Sequence, residues 1–227
     1  MIGAAVQVRA APASDRAGVQ LLTQHGFDGI SPERHNRTLA AVAHHEDRWY
    51  RGLMTTHDAH DPSTAHLTLI PEAALEALLA GSLETASEIM GLALPDVYLT
   101  KSWLWRYRLD QIRADPDSAP WLVRAVYSRP AEAVVGHAGF HGPPDAVGMV
   151  EIGYAIVPEF RRRGYARAAV GQLMAYAAAH GARVVRASVS PENVASLALI
   201  RSYGFQHVGE QWDEKDGREL IFERLAG

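Results

Sequence analysis

The residues from Met149 to Arg167, MVEIGYAIVPEFRRRGYAR, constrain the fold more than any other stretch of the chain. An apolar run of strand length, Val150 to Val157, breaks at Pro158. Three arginines and a glycine then lead into an alanine-rich helix reaching His180. This is an anion site by construction. The first N–H groups of a helix have no intrahelical partner and the helix dipole is positive there, so a phosphate can be held by the main chain itself. Gly164 and Ala166 keep side chains out of the approach. Arg161, Arg162, Arg163 and Arg167 add positive charge that does not titrate away.

The chain has 227 residues, 48% of them hydrophobic. That is enough for one large domain, or one domain with an extension, around a sizeable core. The absence of cysteine excludes disulfides, thiolate chemistry and cysteine-based zinc sites, and accords with a reducing cytoplasm. No run approaches the roughly 18 apolar residues of a membrane span, and no basic segment followed by an apolar core opens the chain. The expectation is a cytoplasmic protein without a membrane partner. A formal charge of −4 argues against nucleic acid, which usually needs a net basic surface.

Residues 1–65 differ in composition from the rest. Seven of the eleven histidines lie between His25 and His66. Val6 to Arg9 reads as a short strand, Ser14 as the N-cap of a helix through Gln24, and Ser31-Pro32-Glu33 as the start of a helix reaching about Leu53. The pairs His44/His45 and His57/His60 could ligate a metal. Adjacent histidines on a helix point about 100° apart, however, and no second spaced pair completes a set, so no metal is expected. A small helical extension that covers a cleft or makes a homodimer is the role expected of this segment.

From residue 66 the pattern becomes regular. His66 to Ile70 alternates as a strand, Pro71-Glu72 opens a helix ended by Gly81, and Ser82 caps another that reaches Gly91. A further helix, Leu99 to Ala114, carries Trp105, Leu109 and Ile112 on one stripe. Trp103 and Tyr107 lie on another, where they could wall an acceptor pocket or simply pack beneath a loop. Strands Trp121 to Tyr127 and Ala133 to Phe140 follow. His137 and His141, four apart, face one side of the second strand and are candidates for proton transfer. In the central strand Val150, Ile152, Tyr154 and Ile156 are bulky, whereas Glu151, Gly153 and Ala155 leave room beside a carboxylate. Arg183 to Val189 is another buried strand. A hairpin closes the chain, Gln206 to Trp212 and Glu219 to Glu223, and Trp212, Asp213 and Glu214 near its tip could meet a cationic substrate.

Arg161-x-x-Gly164-x-Ala166 after Val157-Pro158-Glu159, followed downstream by Asn193-Val194-Ala195-Ser196 and Gly204-Phe205, resembles the GNAT acetyltransferase superfamily over roughly residues 66–224. Ser196 at the fourth motif position resembles the branch with ribosomal-protein N-terminal acetyltransferases. The resemblance implies an α/β fold with a mixed, mostly antiparallel central sheet and flanking helices over residues 66–227. It also implies acetyl-CoA as co-substrate. The pyrophosphate would lie on Arg161 to Arg167, Tyr165 and Ala166 included. The pantetheine arm would lie in a gap beside the backbone of Ile156 and Val157, near Asn193 and Ser196. Many relatives carry a tyrosine acid seven residues after the asparagine; here that position is Ile200. Tyr203 lies about 300° further round the helix.

The activity implied is direct acetyl transfer to a primary amine of a small molecule or a protein N-terminus, with Glu151 as base through one water. A carboxylate on an internal strand suits that role because desolvation raises its pKa. Ser196 or water would protonate the thiolate. Backbone N–H groups of the central strand would polarise the carbonyl. The alternative is an acetyl-CoA-binding regulatory module without turnover.

Overall fold

A computed structural model describes residues 65–214 and 216–227 of the chain. The strand and helices expected before residue 65, and the histidine pairs His44/His45 and His57/His60, lie outside the described residues. Seven strands form one sheet: β1 Ala65–Leu69, β2 Arg124–Ser128, β3 Ala133–Phe140, β4 Met149–Ile156, β5 Val184–Val189, β6 Gln206–Asp213 and β7 Gly217–Leu225. Their spatial order is β1-β2-β3-β4-β5-β7-β6, with every pairing antiparallel except β4 with β5.

Helices cover both faces of this sheet, as the expected α/β class requires. On one face lie α1 Glu72–Leu79, α2 Leu83–Met90 and α3 Ser102–Ala114; on the other lie α4 Tyr165–Ala179 and α5 Val194–Ser202. Ser82 caps α2 by accepting a hydrogen bond from the Thr85 N–H, and Gly91 ends it in the left-handed region at φ 62°. The alanine content of α4 suits a helix packed closely on a sheet. Ala169, Val170, Leu173 and Ala177 are fully buried against β3 to β5.

The core on the α1–α3 side is pinned by polar groups that find partners. The Tyr98 hydroxyl donates to the Gly136 carbonyl at 2.9 Å, and Trp105 Nε1 donates to the Tyr98 carbonyl at 2.6 Å. Gly136 allows β3 and β4 to approach, because a Cβ there would run into the Ala155 carbonyl. Trp105, Leu109 and Ile112 form the buried stripe expected of α3.

Two boundaries differ from the sequence pattern. The segment expected to begin a helix at Leu99 starts as a 3-10 turn, Asp96–Lys101. The strand expected from Trp121 starts at Arg124, because Asp115 accepts from the Asp117 N–H and nucleates a 3-10 turn through Pro116–Trp121.

Candidate active site

β4 and β5 are paired only at Met149 with Val184, Val150 with Val185 and Glu151 with Arg186. Beyond Glu151 the two strands part. On its other edge β4 stays in register with β3, from Ile152 opposite Phe140 to Ile156 opposite Gly136. The His141 N–H donates to the Glu151 carbonyl at 2.8 Å and the Val157 N–H to the Val135 carbonyl at 2.9 Å. The alternation of an antiparallel ladder therefore turns the peptide groups of Ile152, Tyr154 and Ile156 toward the side that β5 has left. Of the two positions expected to meet a pantetheine arm, Ile156 offers its N–H to the gap. That of Val157 is spent on β3, and the Ile156 carbonyl accepts from Arg161 Nε at 3.0 Å.

The gap opens beside the start of α4. After a 3-10 turn at Pro158–Phe160, Arg162 and Gly164 both take positive φ, 64° and 85°. Left-handed residues in a short loop turn successive N–H groups toward one concavity, an arrangement that binds anions. Gly164 is the N-cap and supplies no side-chain cap, and the first intrahelical bond is from the Ala168 N–H to the Gly164 carbonyl. The N–H groups of Tyr165, Ala166 and Arg167 thus have no intrahelical acceptor. Tyr165 holds this end in place, its phenol oxygen accepting from the Ser128 hydroxyl at 3.0 Å. The arginines divide by role. Arg161, Arg162 and Arg163 are exposed at the loop, with Arg163 over the Phe160 ring at 5.5 Å. Arg167 is drawn to α5, donating to Ser202 at 2.8 Å and stacking over Tyr203 at 5.4 Å.

Across the gap, Asn193 caps α5 by accepting from the Ser196 N–H at 3.2 Å. Ser196 is buried, and Ile200 is packed wholly in the core. Tyr203 donates its hydroxyl to the Arg167 carbonyl at 2.6 Å and serves the contact between helices. Tyr154 is the phenol that enters this region from β4. Its hydroxyl is buried without a well-aligned protein hydrogen bond among the described residues. Burial pushes it up to about 12, and the neighbouring Ser196 side chain opposes part of that rise.

The opposite face of the sheet, toward α1–α3, carries a second set of groups. Glu151 is only 8% exposed, and its Oε1 lies 3.7 Å from His141 Nδ1. The His141 carbonyl accepts from Arg108 Nη1 at 3.1 Å and Gln111 Nε2 at 2.7 Å. Beside Glu151, Gln211 Nε2 donates to Glu219 and reaches Ser188 at 3.3 Å. Burial raises the Glu219 carboxyl, and the charge of Glu151 raises it further.

His137 is on the same face but lies further along β3, with its ring edge-on to Tyr98 and Trp105 at 6.1 and 5.6 Å. Burial, with Lys101 and Arg108 nearby, lowers it to about 4, so it is neutral at pH 7. A cleft is lined here by Leu104, Arg108, Val123, His137, Gly139 and Gly153. The other expected acceptor residues stand outside that lining. Trp103 is 38% exposed at the start of α3, Tyr107 is half-buried under Arg108, and Trp212 on the hairpin is 76% exposed.

Sequence pattern alone misses Tyr154, Arg108 and Glu219. Tyr154 reads as one bulky core residue among four, and its hydroxyl was the available signal. No group of three or more His, Asp or Glu side chains suited to a metal is found among the described residues. No described helix is long and apolar enough to cross a membrane.

Comparison with known proteins bears on this arrangement. The chain is 34% identical over 82 residues to an uncharacterized N-acetyltransferase, YoaA, of Bacillus subtilis, covering 36% of this chain and 46% of that protein. It is 34% identical over 88 residues to an uncharacterized protein, ML0378, of Mycobacterium leprae, covering 37% of this chain and 23% of that one. The chain thus spans less than half the length of these curated relatives. Among solved structures, Ard1 from Thermoplasma volcanium superposes with a TM-score of 0.50 at 16% identity, over 71% of this chain and 97% of that one. A chimera of spermidine N-acetyltransferase SpeG from Vibrio cholerae and hSSAT superposes with a TM-score of 0.52 at 15% identity, over 72% and 96%. At such identities the likeness is one of fold. Residues 66–206 match the family model described as the acetyltransferase (GNAT) domain, which takes in the parted strands, the α4 loop and α5, and the chain belongs to the GNAT acetyltransferase family.

Proposed function

We propose that this protein transfers an acetyl group from acetyl-CoA to a primary amine by direct attack. The observation that carries the reading is the parting of β4 from β5 immediately after Glu151, beside the uncapped start of α4. When bound, acetyl-CoA supplies the acetyl thioester. The loop from Arg161 to Arg167 receives its pyrophosphate on main-chain N–H groups and arginine charge. The edge of β4 from Ile152 to Ile156 receives the pantetheine amides, much as a sheet edge accepts another strand.

Glu151 stands at the closed end of the gap, on the face opposite α4. It takes a proton from the acceptor ammonium, through one water, so that the nitrogen lone pair is available to attack. As the new C–N bond forms the C–S bond breaks. The N–H groups of β4 that face the gap meet the carbonyl oxygen as its charge develops.

Ile200 cannot assist the leaving thiolate. Tyr154, buried beside Ser196 on the α5 side, can do so by hydrogen bonding. A phenol near 12 holds its proton more tightly than an ordinary thiol near 8.5, so it steadies the departing sulfur as a donor and does not surrender the proton. Water then protonates the thiolate.

The test is release of free thiol from acetyl-CoA in the presence of an amine panel covering amino acids, polyamines, aminoglycosides and peptide N-termini. Amine-dependent release for one class is the expected result. Cofactor binding without release from any amine would instead favour the regulatory module without turnover.

A further inference from the structure

Arg108 and Arg124 are buried guanidinium groups that the acetyl-transfer reading does not use; Arg124 donates to the Pro120 and Leu122 carbonyls, and Arg108 is less well met. It projects from α3 onto the cleft over β3 and β4 and is only 3% exposed. Nη1 donates to Gln111 Oε1 at 2.6 Å and to the His141 carbonyl at 3.1 Å, while Nε is buried and has no hydrogen-bond partner. No carboxylate among the described residues forms an ion pair with it or offsets its burial, which lowers it to about 10 and leaves it charged at pH 7. Arg113, Arg186 and Arg218, all more exposed, each have a glutamate partner. A buried guanidinium normally has an anion to meet, because desolvation is otherwise uncompensated.

The surroundings give that anion a place and a polarity. Lys101 and Arg108 both act on His137, so the α3 wall of the cleft is cationic beside a neutral imidazole. Gly153 puts no side chain there, whereas its β3 partner Gly139 is covered by the Leu122 and Val123 backbone. His141 connects this wall to the carboxylate side: its carbonyl is held by Arg108 and its ring faces Glu151. Glu219 adjoins Glu151. Arg108 and Glu151 therefore meet two ends of one residue, the first at the His141 carbonyl and the second at its ring.

Resting on the acetyl-transfer reading, we propose that the acceptor is a free amino acid or similar small amino carboxylate, its carboxylate bound by Arg108 and its amine presented to Glu151. The planar guanidinium can engage a carboxylate through parallel N–H donors, which a lysine cannot reproduce. A polyamine would place a further cation against Arg108, and a peptide N-terminus would present a neutral amide there.

The experiment is thiol release measured for alanine, leucine and phenylalanine, each against its own carboxamide, with β-alanine and spermidine alongside. The expected result is a kcat/KM about tenfold or more higher for at least one acid than for its amide, since the amide leaves the guanidinium without a charge partner. Arg108→Gln should raise KM for that acid far more than for its amide, so that the acid-to-amide ratio of kcat/KM collapses toward one, with Arg108→Lys intermediate. The comparison within the wild-type protein stands even where a variant fails to fold. Equal or better turnover of the amides, or preference for spermidine, overturns the amino-carboxylate proposal and leaves acetyl transfer intact. Release from no amine overturns both.

Discussion

His141 Nδ1 stands 3.7 Å from Glu151 Oε1, both side chains almost out of solvent, at the point where β4 gives up its pairing with β5. The geometry follows from the ladder, in which the His141 N–H is bonded to the Glu151 carbonyl and places the two residues opposite each other. Their side chains therefore share the face turned away from α4. In the proposed mechanism the carboxylate is the base, with the imidazole beside it.

Glu151→Gln removes the proton acceptor and keeps the shape. The expected outcome is a fall in kcat of about 10² to 10⁴, the range for loss of general base catalysis, with an unchanged Kd for acetyl-CoA. Steady-state thiol release across pH, alongside calorimetry, separates the two. An unaltered rate and pH profile would remove Glu151 from the mechanism.

Tyr154→Phe leaves the ring packed in the core and deletes the hydroxyl beside Ser196. Loss of one hydrogen bond to a developing anion is worth about 1.5 to 3 kcal/mol, a fall in kcat of roughly 10- to 100-fold. The melting temperature should hold or rise, because a buried hydroxyl without a well-aligned partner is lost. A variant with full kcat would assign departure of the thiolate to solvent alone.

His137 gives a pH-dependence whose sign is fixed. Its folded value, about 4, lies below the ordinary 6.5, so the unfolded chain binds more protons between those limits. Stability is accordingly lost as pH falls from about 6.5 toward 4. His137→Phe keeps a ring against Tyr98 and Trp105 and removes the titration. Its melting temperature should decline less than that of the wild type over this window, and parallel curves would refute the assignment.

Much of this was legible in the residues. The alternation in β4 separates Glu151, Gly153 and Ala155 from Val150, Ile152, Tyr154 and Ile156, and the cores divide along that line. Arg161 and Gly164 mark the loop because a helix start, a positive φ and cationic charge are local properties. Arg108 was not legible: on α3 it sits between a stripe of apolar residues and exposed polar ones, and only tertiary packing turns it inward. Tyr154 escaped notice for the opposite reason, since its hydroxyl matters through Ser196, which comes 42 residues later in the chain. His137 and His141 share a face as alternation predicts. The layer above the sheet sends one against aromatic rings and the other against Glu151.

The central claim is that the loop before α4 holds acetyl-CoA, and calorimetric titration of the wild type and Gly164→Glu tests it most directly. The account predicts one-to-one binding to the wild type, and none to the variant, whose carboxylate would stand at the pyrophosphate and whose backbone would be forced off φ 85°. Circular dichroism of the variant establishes that it is folded. Absence of binding by the wild type, or equal affinity in a folded Gly164→Glu, would contradict the account.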